Sequence, residues 1–376
     1  MSNRIAILSK YHPLQGGIAA KTYWMARGLA NRGHEIHIIT DGLDVGGKYR
    51  IKDDGEPAKT LPNLYVHRPT GEMPWHIPEN DEQSLALLAL TLRVIREHDI
   101  EVLDTSYLIP YGIIGGLAKR ITEVRHVLRH GGSDIEKFLK GDALNPLLQD
   151  SITHADIVIT EERHVDLFKQ LSSNIITQPP YIVDTEAFVL ADTRSKKKRI
   201  AVIGKVNYHW RYKGLHQIAD IMRSLAGEFE CIFVCQGNGL SDFKKFLGED
   251  YKKYKWQRFV APWGMPRLLN QLDALFIFES SLPHPVVSNL AMEALCSGVV
   301  IITDRADFKR TYEDVISIND DQILVIQPSE PALAASAIAN WLDGRGNKRK
   351  RAFQLVSFSE YIAANEKIHG IIIRGK

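Results

Sequence analysis

The chain has 376 residues, enough for about two domains of ordinary size. Its 44% hydrophobic and 24% charged content is that of a globular protein, and a formal net charge of +2 gives no footprint for general nucleic-acid binding, which needs a concentrated basic face. Three cysteines, Cys231, Cys235 and Cys296, lie in apolar runs without metal-ligand spacing; they read as buried thiols in a reducing compartment, not as a disulfide framework.

Arg4 to Ser9 is a short apolar strand, so the N-terminal residues read as the start of a fold and not as a signal peptide. Gln15-Gly16-Gly17-Ile18 follows, then a helical pattern through Tyr23, Met25, Ala26 and Leu29, stopped by Gly33. His34 to Thr40 is a second strand, which closes a βαβ unit whose glycine turn lies where open α/β sheets bind ligands. Asp41 to Pro62 is polar and glycine-rich and reads as a loop. Leu64 to Arg68 is a strand, Glu82 to Glu97 an amphipathic helix, Val102 to Ser106 a strand, Ile109 to Lys119 a helix and Arg125 to Arg129 a strand. Ala155 to Thr160 is a further strand, with a helix running on to about Gln170.

Composition turns polar and charged at Ala191 to Lys198, the best linker candidate. Strand-helix alternation then restarts, with strands at Arg199 to Gly204, Cys231 to Cys235, Ala274 to Phe278, Val299 to Thr303 and Ile323 to Ile326, and a helix at Leu333 to Leu342. The expected organisation is a Rossmann-like domain at 1–190, a second at 191–352 and a mixed tail at 353–376. No run approaches the roughly 18 apolar residues of a membrane-spanning helix, so a cytoplasmic protein is expected.

The chemistry concentrates where strands give way to helices. Ser288-Asn289 opens a helix that closes at Ser297-Gly298, and such an N-terminus offers free N–H groups and a positive dipole end to an anion. Glu293 lies one turn in, within reach of a hydroxyl beside that anion; the competing reading is an ordinary exposed helix acid. Lys205 follows the first strand of the second half, and Arg211-Tyr212-Lys213-Gly214 precedes its helix. Gly16-Gly17 allows a backbone to approach phosphate closely, or makes a plain tight turn. Cys235-Gln236-Gly237-Asn238-Gly239 is a second glycine turn after a strand. His130-Gly131-Gly132-Ser133-Asp134 ends a strand of the first half, and there Asp134 suits a helix cap.

Taken in this order, the motifs resemble those of retaining GT-B glycosyltransferases of family 4 (glycosyl transferases group 1). Glu293-Ala294-Leu295-Cys296-Ser297-Gly298 fits the second half of that family's two-glutamate signature, and Ser288-Asn289 occurs in a variant of its loop. Pro285 stands where the first glutamate belongs, and Glu279 is the nearest upstream acid. The resemblance extends from Gly16 to Gly298 and takes in Pro180 to Phe188, which is similar to the interdomain hinge sequence.

The resemblance implies two Rossmann-like parallel-sheet domains facing a cleft, with a tail that crosses back to the first. It implies transfer of a sugar from a nucleotide diphosphate sugar to an acceptor hydroxyl, with no cofactor and no metal. Lys205 and Lys213 would clamp the diphosphate, with Arg211 sharing the role. Gly16, Gly17, Gly237, Ser288, Asn289, Leu290 and Glu293 would complete the donor site, and His130, Lys205, Lys213 and Glu293 would serve the chemistry. Trp75, His76 and His130 are the acceptor-side candidates. The acceptor stays open between a sugar, a natural product and a lipid-linked molecule. The basic runs at Lys196 to Arg199 and Lys348 to Arg351 suit either peripheral contact with anionic lipid heads or plain solvation. A catalytically silent GT-B binding subunit, for which Pro285 is the argument, a nucleotide-sugar epimerase of the same fold and a nicotinamide dehydrogenase with Asp41 at the ribose remain as alternatives.

Overall fold

A computed structural model describes residues 2–43, 47, 50–51, 61–69, 81–139, 145–189, 197–279, 287–344 and 349–374. The chain divides into two compact units, Met1–Tyr181 with Phe358–Lys376, and Ile182–Ser357.

In the first unit the described residues form seven strands: β1 Arg4–Leu8, β2 Glu35–Ile39, β3 Leu64–His67, β4 Val102–Ser106, β5 Arg125–Arg129, β6 Ile157–Thr160 and β7 Ile175–Thr177. All pair in parallel, in the order β3-β2-β1-β4-β5-β6-β7. The strands are apolar runs because helices cover both faces of a parallel sheet: Ile5 through Leu8 are all buried. The chain winds outward in both directions from the β1–β4 pair, and the carboxyl ends there form the topological switch point where such sheets bind ligands.

The second unit repeats the plan. Its strands are β8 Arg199–Lys205, β9 Glu230–Gln236, β10 Lys255–Gln257, β11 Ala274–Phe276, β12 Val300–Thr303, β13 Ile316–Ser317, β14 Ile323–Val325 and β15 Phe353–Gln354. Six pair in parallel in the order β10-β9-β8-β11-β12-β14, which puts a second switch point between β8 and β11; β13 and β15 form a small antiparallel pair. Its core joins Ile200, Phe233, Phe276 and Ile302 of the sheet to Ile218, Met222 and Ile338 of the covering helices. Each such fully buried side chain contributes about 1.5–3 kcal/mol.

One local expectation is corrected, and another takes definite form. The helix expected from Ile109 begins at Ile113, because Ile109 stands before Pro110, whose ring drives its predecessor out of the helical region (φ −124°, ψ 127°). The mixed tail resolves into the short strand Phe353–Gln354 and one long helix, Phe358–Arg374, that buries Tyr361, Ile362, Ile368 and Ile372.

Where the sequence suggested a joint near 190, the structure puts it between Tyr181 and Ile182. Packing explains the position: Ile182, Val183 and Phe188 are buried, and the Val183 amide donates to Gln354 Oε1 at 2.6 Å while Gln354 Nε2 donates to the Val183 carbonyl at 2.9 Å. Most of the proposed linker, 191–196, lies outside the described residues.

The C-terminal helix is held to the first unit by apolar and polar contacts. Ile368 and Ile372 pack with Val102, Val127, Ile157 and Ile159. A Cβ on Gly28 would lie 2.6 Å from Ile362 Cδ1, so only glycine lets the helix Gly17–Asn31 approach this closely. Beneath them Arg129 donates to both carboxylate oxygens of Asp104, at 2.7 and 2.8 Å, and to Asn365 Oδ1 at 2.6 Å. His369 Nε2 donates to Asp104 Oδ2 at 2.8 Å. Desolvation raises the Asp104 pKa, but Arg129 and His369 outweigh it and hold the carboxyl well below the usual range. A buried charge is tolerable only with partners like these.

Candidate functional site

In the second unit a cavity of about 550 Å³ opens at the carboxyl ends of β8 and β11. Arg211, Tyr212, Gly214, His216 and Gln217 line it from the chain after β8, Phe278 from beyond β11 and Asp304 from beyond β12. That is the switch point of this sheet, and the size suits a small ligand.

Local chemistry sets the shape of this wall. Gly214 has φ +62°, a left-handed conformation that favours glycine, and a Cβ there would meet Phe278 at 2.7 Å. The Arg211 guanidinium lies 4.3 Å from the ring centre of buried Trp210 and 5.6 Å from that of Phe246, and this stacking props it at the cavity edge. Lys213 Nζ donates to the Lys205 carbonyl at 3.3 Å, so the side chain of one residue of the expected clamp reaches the backbone of the other. Lys213 is exposed by area, yet the protein around its ammonium desolvates it and lowers its pKa, against a smaller opposing effect of Cys235. A poorly solvated cation gains more from an arriving anion than one already hydrated. Gly237, with φ +143°, turns the chain after β9, and the Gly239 amide donates to the Val206 carbonyl at 3.0 Å, which joins that turn to the loop after β8.

The helix Asn289–Cys296 starts at an N-cap Ser288, whose Oγ accepts from the Ala291 amide at 3.4 Å. Asn289 and Leu290, its first residues, are half-buried. Glu293 is 3% exposed, which removes the reading of an ordinary exposed helix acid. Gly298, at φ +75°, ends the helix before β12. Pro285 lies outside the described residues.

Two residues in this site, Asp304 and His216, escaped the sequence reading, and a third, Glu279, figured there only as the nearest upstream acid. Asp304 is in the cavity wall and its Oδ1 accepts from the Glu279 amide at 2.8 Å. Glu279 itself is buried; desolvation and Asp304 push its pKa up to about 7, with Arg305 opposing. It interacts electrostatically with Tyr312, whose hydroxyl accepts from the Ser288 amide at 3.1 Å, so the nearest acid in sequence lies beside the start of the signature helix. His216 lines the cavity, and its Nδ1 has no hydrogen-bond partner among the described residues. The available signal was position: each follows a strand of the sheet or opens the helix after one.

In the first unit Gly16, with φ +148°, caps the helix Gly17–Asn31 just beyond β1. His130, at the end of β5, is 7% exposed. Its Nδ1 accepts from the Gly132 amide at 3.2 Å, so the ring proton is on Nε2, which faces Thr160 Oγ1 at 2.8 Å. Desolvation, then His164, Lys21 and Arg163, lower its pKa well below the ordinary value and keep it neutral. Asp134 does not cap the helix Ser133–Phe138; Gly132 does, and the carboxylate accepts from Gly131 at 2.8 Å and Leu108 at 2.9 Å instead. Asp41, the ribose candidate of a dehydrogenase, is buried and accepts from Tyr111 Oη at 2.7 Å and from Gln83. Trp75 and His76 lie outside the described residues. No helix among the described residues is long and apolar enough to cross a membrane.

Comparison with known proteins agrees with this layout. Residues 16–165 match the glycosyl transferase 4-like domain. N-acetyl-alpha-D-glucosaminyl L-malate synthase of Bacillus anthracis is 25% identical over 223 residues, which cover 57% of this chain and 56% of that protein, so the match spans about half the length of the curated relative. Sucrose-phosphate synthase from Thermosynechococcus elongatus superposes with a TM-score of 0.65 at 12% identity, over 100% of both chains. Anabaena HepE, solved in complex with UDP-glucose, superposes with a TM-score of 0.58 at 14% identity, over 97% of this chain and 99% of that one. Residues 16–165 thus match a glycosyl transferase 4-like domain, and the two sheets of one Rossmann-like order give the chain the GT-B fold of these glycosyltransferases.

Proposed function

We propose that the protein transfers a sugar from a nucleotide diphosphate sugar to an acceptor hydroxyl, with retention and without a metal ion. The observation that carries this reading is the cavity at the β8–β11 switch point, with Arg211 in its wall and Lys213 turned onto Lys205 beside it. As the bond from the sugar to the diphosphate breaks, negative charge grows on the leaving oxygen, and fixed cations stabilise that state more than the ground state. The new bond forms on the face that the leaving group departs, and the acceptor proton passes to the leaving phosphate oxygen. No side-chain base is required, which suits a His130 that is neutral and has both ring nitrogens engaged. His130 is then a positioning residue, with Trp75 and His76 as acceptor contacts. Glu293 and the start of its helix hold the donor, with Gly16, Gly17 and Gly237 as close backbone approaches. Glu279 supplies the donor-side acid that Pro285 lacks: with a pKa of about 7 it hydrogen-bonds a sugar hydroxyl in either protonation state.

The solved HepE complex and the name of the Bacillus anthracis relative make UDP-glucose and UDP-N-acetylglucosamine the first donors to try, with L-malate among the acceptors. The test is a thermal-shift screen of UDP-, GDP-, ADP- and dTDP-sugars with EDTA present, followed by transfer assays and the anomeric coupling constant of the product. A selective shift that disappears in Lys213→Ala and Glu293→Ala, with a retained anomer, is the expected result. No shift with any donor would favour the silent binding subunit, and an inverted product would remove the retaining mechanism.

A further inference from the structure

Three histidines distant in sequence meet on one face of the first sheet. His37 is in the middle of β2, His67 ends β3, and His98 follows the helix Asp81–Glu97 that covers this face. In the β2–β3 register His37 pairs with Tyr65 and Ile39 with His67, so His37 and His67 project from the same side. One ligand nitrogen from each of the three rings lies within 4.8 Å of the others. His37 is buried, while His67 and His98 are half-buried, which leaves a path from solvent.

The hydrogen bonds prepare this group for a cation. His37 Nε2 faces Glu35 Oε1 at 2.9 Å, and a carboxylate can only accept, so the ring proton sits on Nε2. That leaves the Nδ1 lone pair pointing at His67 Nε2, also at 2.9 Å. A histidine ligand whose other nitrogen donates to a carboxylate is the usual outer-shell arrangement of zinc sites. Burial, together with the positive charge of the other histidines and of Arg93, keeps His67 neutral, with its pKa pushed down to about 4; burial also lowers that of His37, against the opposing pull of Glu35. Neutral imidazoles are the ligand form, and the Glu35 contact fixes His37 in the tautomer that can bind through Nδ1. Arg4 and Arg93 oppose a cation here and Glu35 favours it. None of this depends on the donor cavity, which is built wholly from the second unit.

We propose that His37, His67 and His98 form a binding site for a zinc-class divalent cation, with water in the fourth position and Glu35 fixing the His37 tautomer. Tetrahedral coordination at about 2.0–2.1 Å places ligand nitrogens about 3.4 Å apart, so the His37–His67 pair opens by about 0.5 Å and His98 closes in. On binding, the proton of His67 moves from Nε2 to Nδ1, which frees the Nε2 lone pair for the cation. The cation clips β2, β3 and the end of the covering helix together.

The experiment uses untagged full-length protein, stripped with chelator and desalted, then titrated with Zn²⁺ by calorimetry and with Co²⁺ by visible absorption. The expected result is about one equivalent bound, tetrahedral Co²⁺ bands and a raised melting midpoint with Zn²⁺. His67→Ala and His98→Gln should each abolish the bands while circular dichroism is kept, and either suffices if the other fails to fold. Glu35→Gln should weaken binding about 10- to 100-fold. His154→Ala, in an exposed histidine of another helix, should change nothing. Binding equal in wild type, His67→Ala and His98→Gln, or no Zn²⁺ retained by wild type at micromolar concentration, would overturn the site.

Discussion

Beyond β1 stand Gly16 and Gly17 and, at the end of β5, a neutral buried His130; at the equivalent place of the second sheet Lys205 ends β8, and Arg211 and Lys213 follow it. Both sheets wind their first strands in one order, so topology does not account for the difference. The first unit uses its strongest charges inward, as Asp104 and Arg129 satisfy each other beneath the C-terminal helix. The second places one cation, Arg211, and one acid, Asp304, in the wall of an open cavity. One fold thus carries an internally neutralised charge pair in one unit and an open, polar-lined cavity in the other, because switch-point loops carry chemistry that strands do not.

The sharpest way to break this contrast is to remove the internal neutralisation. Asp104→Ala leaves Arg129 buried without its main partner and should cost about 3–5 kcal/mol in denaturant unfolding. The pH dependence has a definite sign: the folded pKa of Asp104 is depressed, so its contribution is present above the unfolded value near 3.9 and is lost as pH falls below about 4. The variant should lack that acid loss.

In the second unit, Lys213→Ala should lower kcat/KM for the nucleotide sugar by about 10²–10³ while leaving the unfolding midpoint nearly unchanged. Equal losses of stability and activity would mean that the cation serves packing. Glu279 runs opposite to Asp104. Its folded pKa is raised to about 7, so the folded state is favoured at low pH and loses on the order of 3 kcal/mol as pH rises from about 4.5 to 7. Glu279→Gln should flatten the melting-temperature profile across that interval; an unchanged slope would place the titration elsewhere. The smallest effect is expected at the cap. Ser288→Ala removes a hydrogen bond of 3.4 Å and should cost about 0.5–1 kcal/mol, with a matching weakening of donor binding if the helix start holds the diphosphate.

Much of this was legible from residues alone. β-branched and apolar runs marked β1, β4, β5, β8, β9 and β12 because a parallel sheet is buried on both faces. Glycines marked the turns at Gly16, Gly33, Gly214 and Gly298, all at positive φ, because other residues are strained there. The pair Ser288-Asn289 was identifiable as the helix start from its place before an apolar-periodic run, and the structure makes Ser288 the cap. These are local preferences, and periodicity carries them. The misreading at Ile109 was local too, since Pro110 was there to be weighed against the helical pattern.

What needed the tertiary structure is whatever joins positions far apart. Nothing in the spacing of residues 37, 67 and 98 shows three rings in contact, or in 104, 129 and 369 a buried charge network. Glu279 looked too distant from the signature helix until the fold brought it beside Tyr312 and Ser288. The sequence by itself determined the elements, the order of the two α/β halves and which residue types end each strand, because backbone preference and hydrophobic period act within a few residues. The tertiary structure alone decided which of those ends meet and which charges are desolvated, because burial and Coulomb interaction depend on neighbours in space.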